Sequence, residues 1–597
     1  MADRTGFHPL ERLDRLARRP WISYLMLLLL QLKVLWGVWE YRDLARGDES
    51  GYYSRAFLWF KDLTVDIVWS PLYTAFLGTL MHLSTDAYVV TTALRLIIVL
   101  ALGVMILALM RRLLPHGIAW LVAAWWAVLP VNFDTASTVH LFAVVPVLAG
   151  WLLMLHTPSP WARGGALAIF LVTTALVRNE YLVASVVLGI ACLWWETQGA
   201  RPADARPAPW SQSRLAGYGA PLLLAGAVVL FFYARSVYQL PELWAGGTLP
   251  RHMPPWSAHS GLKPKHTYNM CQVYAYGYQQ RHPEWRANPM LECSGLMLST
   301  FGTPLPSLGE MLRGNPAATL QHVWWNIGLT PGGIQLLLFN ASAGTMNPDY
   351  FPVELHSRRA LALSLITGSV LGLGLFLLYR DRRWWWEHWL KVRAPGWVAM
   401  LSVVAVAGLS IPTQRPRPAY LFCQGLVLMA LTGLCLFAIS RRWPVVQRLS
   451  RWLPVVMVAS LLVAPAHYYR SDDGARPLLE LYRRLAPFAA IFNRPDGVVL
   501  VSAYPIEIHD YVGHNYFTSP LLNADYTLLD SGPADRPLGA FLDAQGITLF
   551  YVDEALRQAL AANPLHRSFL TSPESAGWKI VGGQDTSAGA WLLLGKR

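Results

Sequence analysis

The chain has 597 residues, 54% hydrophobic and 14% charged, against roughly 25% charged in an average soluble protein. That deficit, with a mean hydropathy of +0.32, excludes an ordinary cytosolic enzyme and replaces the about four domains that length alone would give with one large membrane body. The net charge of +13 rests almost wholly on arginine, with only seven lysines, and because no basic and aromatic stripe survives outside the apolar runs, nucleic acid is not an expected partner.

Apolar windows near the roughly 20 residues that cross hydrocarbon fall at 21–39, 87–110, 117–133, 138–156, 163–178, 180–196, 218–238, 360–379, 396–411, 420–440 and 451–465. They predict about eleven spans. Before the first stands the basic amphipathic stretch Glu11 to Pro20, and no small-residue cleavage site follows the apolar run, so a retained anchor is expected. The clusters Arg18/Arg19, Arg111/Arg112, Arg201/Arg206/Arg214, Arg380 to Arg393 and Arg441/Arg442/Arg448 belong on the cytoplasmic side. They alternate correctly with these spans if Ser70 to Leu83, short for the membrane at about 21 Å of helix, does not cross.

With the amino terminus inside, the far side receives 40–86, 132–138, 239–358 and everything after 466. The third stretch is too long for a connector. In its tail Met311, Leu312, Ala317, Leu320, Val323, Trp324 and Ile327 recur at helical spacing, as in amphipathic helices lying on a membrane. The expected domains are therefore a transmembrane body, 1–465, and a soluble α/β unit, 466–597. In the latter a helix is expected at 478–491, strands at 497–502 and 547–552, a helix at 554–560, and a terminal hairpin of 578–581 with 590–594. It has no Gly-x-Gly-x-x-Gly after a strand and no Walker motif, so no nucleotide site is expected. Cys192, Cys423 and Cys435 fall in spans as packing residues. Cys271 and Cys293 sit in the large external stretch, where a disulfide is permitted. The histidines there, His252, His259, His266 and His282, lack metal-like spacing.

Four places carry candidate chemistry. After the first span, Asp48 and Glu49 stand beside Tyr52 and Tyr53. Neighbours on a helix point about 100° apart, so the two acids have different tasks, and a partly desolvated carboxylate is the better base near neutral pH. A helix amino terminus dressed with acids is the alternative. Asp134, in the short external turn before His140, is equally an Asx turn or a site residue. Arg178 and Glu180 lie at membrane depth, where charge lines a polar path or pairs internally; Arg95 is better explained by internal pairing. Arg415, Arg417 and Tyr420 occupy a stiff external turn, and positive charge outside calls for a compensating anion, for which phosphate suits two planar guanidinium groups.

Taken together, Asp48-Glu49 with Tyr52 and Tyr53, Trp69-Ser70-Pro71-Leu72-Tyr73, Arg95, Arg178-Asn179-Glu180, Arg313-Gly314-Asn315-Pro316 to His322-Val323-Trp324-Trp325-Asn326, and Arg417 with Tyr420 resemble the GT-C superfamily. These are integral-membrane glycosyltransferases that use polyprenyl-phosphate sugars, and the likeness is nearest to protein O-mannosyltransferases and the lipid A aminoarabinose transferase. The resemblance implies a polytopic α-helical membrane protein of about 11 to 13 transmembrane helices with external amphipathic helices and a C-terminal soluble α/β domain. It implies Asp48 as catalytic acid of the first external loop, Glu49 as its partner and Asp134 as a second external acid. Arg178, Arg415 or Arg417 would then hold the donor phosphate, with Glu180, Tyr52 and Tyr53 lining the cavity. The first loop lacks a strict Asp-x-Asp and the chain lacks Trp-Trp-Asp, which ranks transfer of a single sugar above block transfer. The implied partners are a polyprenyl-phosphate-linked sugar, a glycan, lipid or protein hydroxyl acceptor, and membrane lipids. No tightly bound cofactor is expected, and a divalent cation is compatible with the residues. The implied setting is a bacterial-type inner membrane with the site on the periplasmic or extracellular side. The rival classes are a transporter or flippase, against which stands the lack of an internal repeat, and a ligase or polymerase of lipid-linked glycans.

Overall fold

A computed structural model of the chain describes residues 19–38, 49–84, 87–132, 138–157, 159–198, 212–239, 262–350, 356–443, 453–464, 499–501, 516–517, 537–544, 547–552, 554–584 and 591–596. Asp48, Asp134 and the expected helix at 478–491 lie outside the described residues. The chain divides into two compact units, one of Met1–Gly37, Arg95–Tyr233 and Ser260–Tyr469, the other of Val38–Leu94, Ala234–His259 and Arg470–Arg597. The second unit thus takes in Val38–Leu94 as well as the carboxy-terminal residues, where the sequence suggests one boundary at 465/466.

Among the described residues six helices are long and apolar enough to cross a membrane: Val89–Leu113, Thr138–His156, Gln212–Tyr238, Ser357–Arg380, Arg382–Thr413 and Pro418–Arg442. Each overlaps one of the apolar windows. The windows at 21–39, 163–178 and 451–465 form shorter apolar helices, Pro20–Val34, Pro160–Leu176 and Leu453–Val463. Those at 117–133 and 180–196 form His116–Ala127 and Leu182–Gln198. Proline sets several limits: Pro20 and Pro160 open their helices, and Pro130 follows the end of His116–Ala127, since the residue before proline is pushed out of helical geometry. Ser70 to Leu83 yields only the ten-residue helix Pro71–Leu80, about 15 Å long and too short to span.

Lipid is the solvent these helices require. Only 11% of the apolar window of Ser357–Arg380 is buried by protein, and Leu365, Ile366, Leu375 and Phe376 point outward. An apolar face of that extent is not maintained in water. Within the first unit, helices meet through small residues: a Cβ at Gly374 would overlap Cys435, and one at Gly433 would stand 2.6 Å from Leu114 Cδ1. Close backbone approach through small residues is how spans pack when no hydrophobic effect drives them together.

The first unit also holds a layer of helices between residues 262 and 339. Leu262–Arg281 packs on Pro289–Phe301 around Met270, Tyr274, Leu296, Met297 and Phe301, with Met311 from Leu308–Gly314. Cys271 and Cys293 are joined as a disulfide inside this core. The helices begin on proper caps: Ser307 and Glu310 form a capping box, and Asn315, followed by Pro316, accepts from Ala318 N at 3.0 Å. The first half of the long helix Pro316–Phe339 has its faces reversed relative to a water-soluble helix, while Leu329, Leu336, Leu337 and Leu338 of the second half are buried. Thr319, His322 and Asn326 are buried while Leu312 before it and Leu320, Trp324 and Ile327 on it are exposed.

In the second unit, helices Glu49–Asp62 and Pro71–Leu80 pack tightly because Gly78 has no Cβ to strike the Ala56 carbonyl. Its sheet has the order β2-β1-β3-β5-β4, with β1 at Val499–Val501, β2 at Tyr516–Phe517, β3 at Leu549–Val552, β4 at Trp578–Gln584 and β5 at Trp591–Lys596. Strands β1, β2 and β3 run parallel, and β5 runs antiparallel to β3 and β4. Phe550 and Val552 of β3, Leu594 of β5, and Leu556 and Leu560 of helix Glu554–Ala562 share one core with Trp578. The expected strands, the 554–560 helix and the terminal hairpin coincide with these elements.

Candidate functional site

In the second unit Glu49 opens the helix Glu49–Asp62. Glu49 is 3% exposed, and Tyr73 donates its hydroxyl to Glu49 Oε2 at 3.3 Å. Tyr52 lies edge-on to both Trp69 and Tyr73, with centroids 5.3 and 5.2 Å away, and Arg55 covers the Trp69 ring at 4.9 Å. Tyr53 is buried too. Gly51 admits the Trp69 ring, which a Cβ would meet at 2.8 Å. The result is a carboxylate held in an aromatic enclosure directly after Asp48. A second buried acid that the sequence does not mark is Asp66, whose Oδ1 accepts from Val68 N at 3.0 Å.

In the first unit the arginines of two separate segments meet at one tyrosine. Arg178 lies 5.4 Å and Arg417 5.7 Å from the Tyr420 ring centroid. His140 meets the same ring edge-on at 4.7 Å. Arg178 donates from Nε to Glu180 Oε1 at 2.8 Å, and Arg417 Nε stands 3.7 Å from Asp349 Oδ1. Arg417 also covers the Tyr350 ring at 5.0 Å. Burial pushes the Tyr350 phenol well above its ordinary pKa, with the Tyr420 phenol adding to the rise and Arg417 and Arg415 opposing it. That ring therefore keeps its O–H as a donor.

Arg415 is differently placed. It is 1% exposed and donates from Nη2 to Gln280 Oε1 at 3.0 Å and to the Asn347 carbonyl. Gln280 donates in turn to Asn347 O at 2.8 Å and accepts from Trp325 Nε1 at 3.1 Å. Arg415 thus anchors the turn, while Arg417 faces the tyrosines.

The turn Gln414 to Tyr420 is held by the reversed helix. Asn326 Nδ2 donates to Ile411 O at 2.9 Å and Gln414 O at 3.3 Å, and Gly333 lets that helix lie against the Pro416 carbonyl, which a Cβ would overlap. Asn179 Nδ2 meets His266 Nε2 at 2.9 Å, tying the Arg178 segment to the helix Leu262–Arg281. Arg95, fully buried, donates to Asn132 O at 3.1 Å, Thr138 Oγ1 at 3.2 Å and Val131 O.

Asp349, Tyr350, Gln280 and Asn347 join the cluster without a sequence signal beyond the turn string Asn347-Pro348-Asp349-Tyr350. Arg178 pairs with Glu180 and Arg417 with Asp349, while Arg415 bonds the Gln280 amide oxygen and the Asn347 carbonyl. Planar guanidinium donors beside the protonated Tyr350 phenol suit a phosphate.

No protein-family model matches the sequence, and no curated protein matches it. Among solved structures the chain is similar to the archaeal oligosaccharyltransferase AglB from Archaeoglobus fulgidus in complex with an inhibitory peptide and a dolichol-phosphate. That likeness is 12% identical, covers 96% of this chain and 74% of that one, and has a TM-score of 0.36. It is also similar to the apo crystal structure of the Archaeoglobus fulgidus oligosaccharyltransferase, at 11% identity, 92% and 72% coverage and a TM-score of 0.35. Likenesses at this level leave the chemistry to the side chains described above.

Proposed function

We propose that the protein is a GT-C-type integral-membrane glycosyltransferase that moves a single sugar from a polyprenyl-phosphate donor to a hydroxyl acceptor on the external face of the membrane. The observation that carries this reading is the convergence of Arg178 and Arg417 on Tyr420, two guanidinium groups from distant segments held beside one phenol.

In this reading Arg178 and Arg417 hold the donor phosphate, and Tyr350 and Tyr420 flank it. Asp48 takes the proton of the acceptor hydroxyl as its oxygen attacks the anomeric carbon opposite the phosphate. The new bond forms between acceptor oxygen and anomeric carbon, and the bond from that carbon to the phosphate oxygen breaks with its electron pair. The product is inverted, the proton rests on Asp48, and polyprenyl phosphate leaves as an anion. Fixed arginine charge stabilises that anion as it develops, so no general acid is required. Glu49, enclosed and bonded to Tyr73, positions the loop end that carries Asp48. The setting of this reading is a bacterial-type inner membrane with the site periplasmic or extracellular, and the alternation of basic clusters supports a cytoplasmic amino terminus.

The test is binding of a polyprenyl-phosphate sugar to Arg178→Ala and Arg417→Ala. Each variant is expected to weaken donor affinity by about tenfold or more, as loss of a charge-assisted phosphate contact does. Unchanged affinity in both would overturn the clamp. Transport of the intact lipid-linked sugar without release of the sugar would favour the flippase class instead.

A further inference from the structure

A second group of donor atoms stands on the helices Leu262–Arg281 and Pro316–Phe339 and on the Arg415 turn, and none of these atoms takes part in the hydrogen bonds above. Arg281 ends the helix Leu262–Arg281, with its guanidinium 5.6 Å from the Trp325 ring centroid. Its Nε, Nη1 and Nη2 are all shut from solvent and make no hydrogen bond. His322, fully buried on Pro316–Phe339, leaves Nδ1 without a partner. Arg415, 1% exposed, leaves Nε and Nη1 without partners.

The hydrogen-bond network says what kind of atoms these are. Asn326 Nδ2 donates to two backbone carbonyls, which fixes that atom as the amide nitrogen, and it lies 3.2 Å from His322 Nε2. Nε2 must then accept, so the imidazole proton sits on Nδ1. Burial, with Arg281 and Arg415 adding to it, lowers the His322 pKa to about 3, and the ring is neutral with that single N–H. Every unsatisfied atom named on Arg281, His322 and Arg415 is therefore a donor, and a buried donor without an acceptor is destabilising. What the group lacks is an acceptor-rich anion.

Two of these donors flank Gly277. A Cβ built there would stand 3.4 Å from Arg281 Nη1, 3.4 Å from His322 Nδ1 and 3.5 Å from Trp325 Cδ1. Its absence leaves room for an atom facing both donors. The Arg281 residue keeps part of its surface exposed, so a rotamer change of that one long side chain opens the way.

We infer that Arg281 and His322, backed by the charge of Arg415, form an oxyanion site beside Gly277 that takes a phosphate group, distinct from the Arg178–Arg417 pair. Phosphate suits it because tetrahedrally arranged oxygens can face the Arg281 fork and the imidazole N–H from different directions at once. The group is either free or carried on a lipid headgroup. Under the glycosyltransferase reading, the site gives a bound substrate or lipid a second anionic handle, but the binding test below does not depend on that reading.

The test is thermal melting of the full chain in neutral-lipid nanodiscs with increasing inorganic phosphate, because a ligand that binds only the folded state raises Tm in a saturable way. The Arg178→Gln/Arg417→Gln variant serves as the background that removes the other anion site. Phosphate is expected to raise Tm in that background, and adding Gly277→Ala is expected to weaken the response at least about tenfold, by placing a methyl where the anion oxygen would sit. Gly277→Ala is expected to fold, because its Cβ makes ordinary contacts and alanine is the better helix former. Arg281→Met provides an independent loss of the same response. If phosphate does nothing but phosphatidylglycerol in the nanodisc raises Tm in a Gly277-dependent way, the site is supported and its ligand is a lipid headgroup. No response to either anion, or a response untouched by both Gly277→Ala and Arg281→Met, overturns the inference.

Discussion

Gly333 faces Pro416 so closely that a β-carbon on the one would overlap the carbonyl oxygen of the other. The contact sets the height of the turn bearing Arg415 and Arg417 against the reversed helix Pro316–Phe339, with Asn326 pinning the same turn through Ile411 and Gln414. The position of the arginines is therefore decided by residues about 80 to 90 positions earlier in the chain.

Gly333→Ala is expected to push the turn away at a cost of about 1–3 kcal/mol, typical of overpacking. The melting temperature should fall modestly, while donor binding falls by about tenfold or more because Arg417 leaves the Tyr420 ring. Binding that survives the substitution would show that the turn's height does not matter.

Arg417→Lys separates charge from shape. Lysine keeps the positive charge but loses the planar fork and the stacking on Tyr350 and Tyr420. The expected result is a donor affinity between those of wild type and Arg417→Ala, measured by titration calorimetry. Full rescue would reduce the clamp to simple charge.

Little of this arrangement is legible in the sequence. The spacing of Leu320, Trp324 and Ile327 announces a membrane-facing helix, and those residues are indeed exposed. The same spacing is silent about the opposite face, where His322 and Asn326 are buried against the Arg415 turn, because a polar stripe on a helix ordinarily signals water. Asp349 and Gln280 are equally silent: each meets its arginine, Arg417 or Arg415, across 68 or 135 residues. The local signals fared better. The terminal hairpin, the 547–552 strand and the 554–560 helix depend on nearest-neighbour alternation and turn residues, and they stand where expected. Of the apolar windows, those bounded by proline or by the Arg178 segment form helices of at most 17 residues, a shortening that hydropathy averaged over a window does not register.

The acid side of the stability profile should carry a His322 signature. Its folded pKa is lowered to about 3 by burial, with Arg281 and Arg415 adding to the effect, whereas the unfolded value is about 6.5. Below about pH 6.5 the unfolded chain binds a proton that the folded chain refuses, so stability is full above that pH and declines as pH falls toward 3. His322→Gln is expected to remove that part of the decline. Identical wild-type and variant slopes in melting temperature between pH 6.5 and 4 would contradict the buried, neutral imidazole.

Reduction of the Cys271–Cys293 disulfide, which closes a separation of 22 residues, should cost about 3 kcal/mol in the chain-entropy account. The tie lies on the helix that ends in Gln280 and Arg281, so Cys271→Ala/Cys293→Ala is expected to lower Tm and to weaken donor binding through Arg415. A variant that melts lower yet binds donor normally would confine the disulfide to stability.

The central claim is that Asp48 is the base of a sugar transfer. Purified wild type and Asp48→Asn would be incubated with a panel of radiolabelled polyprenyl-phosphate sugars and a membrane extract, scoring both donor binding and sugar release. The account predicts that wild type releases the sugar of one donor, by transfer or slow hydrolysis, and that Asp48→Asn binds that donor with little change while turning it over at least about a thousandfold more slowly. Retained turnover in Asp48→Asn, or no donor bound or consumed by wild type across the panel, would contradict it.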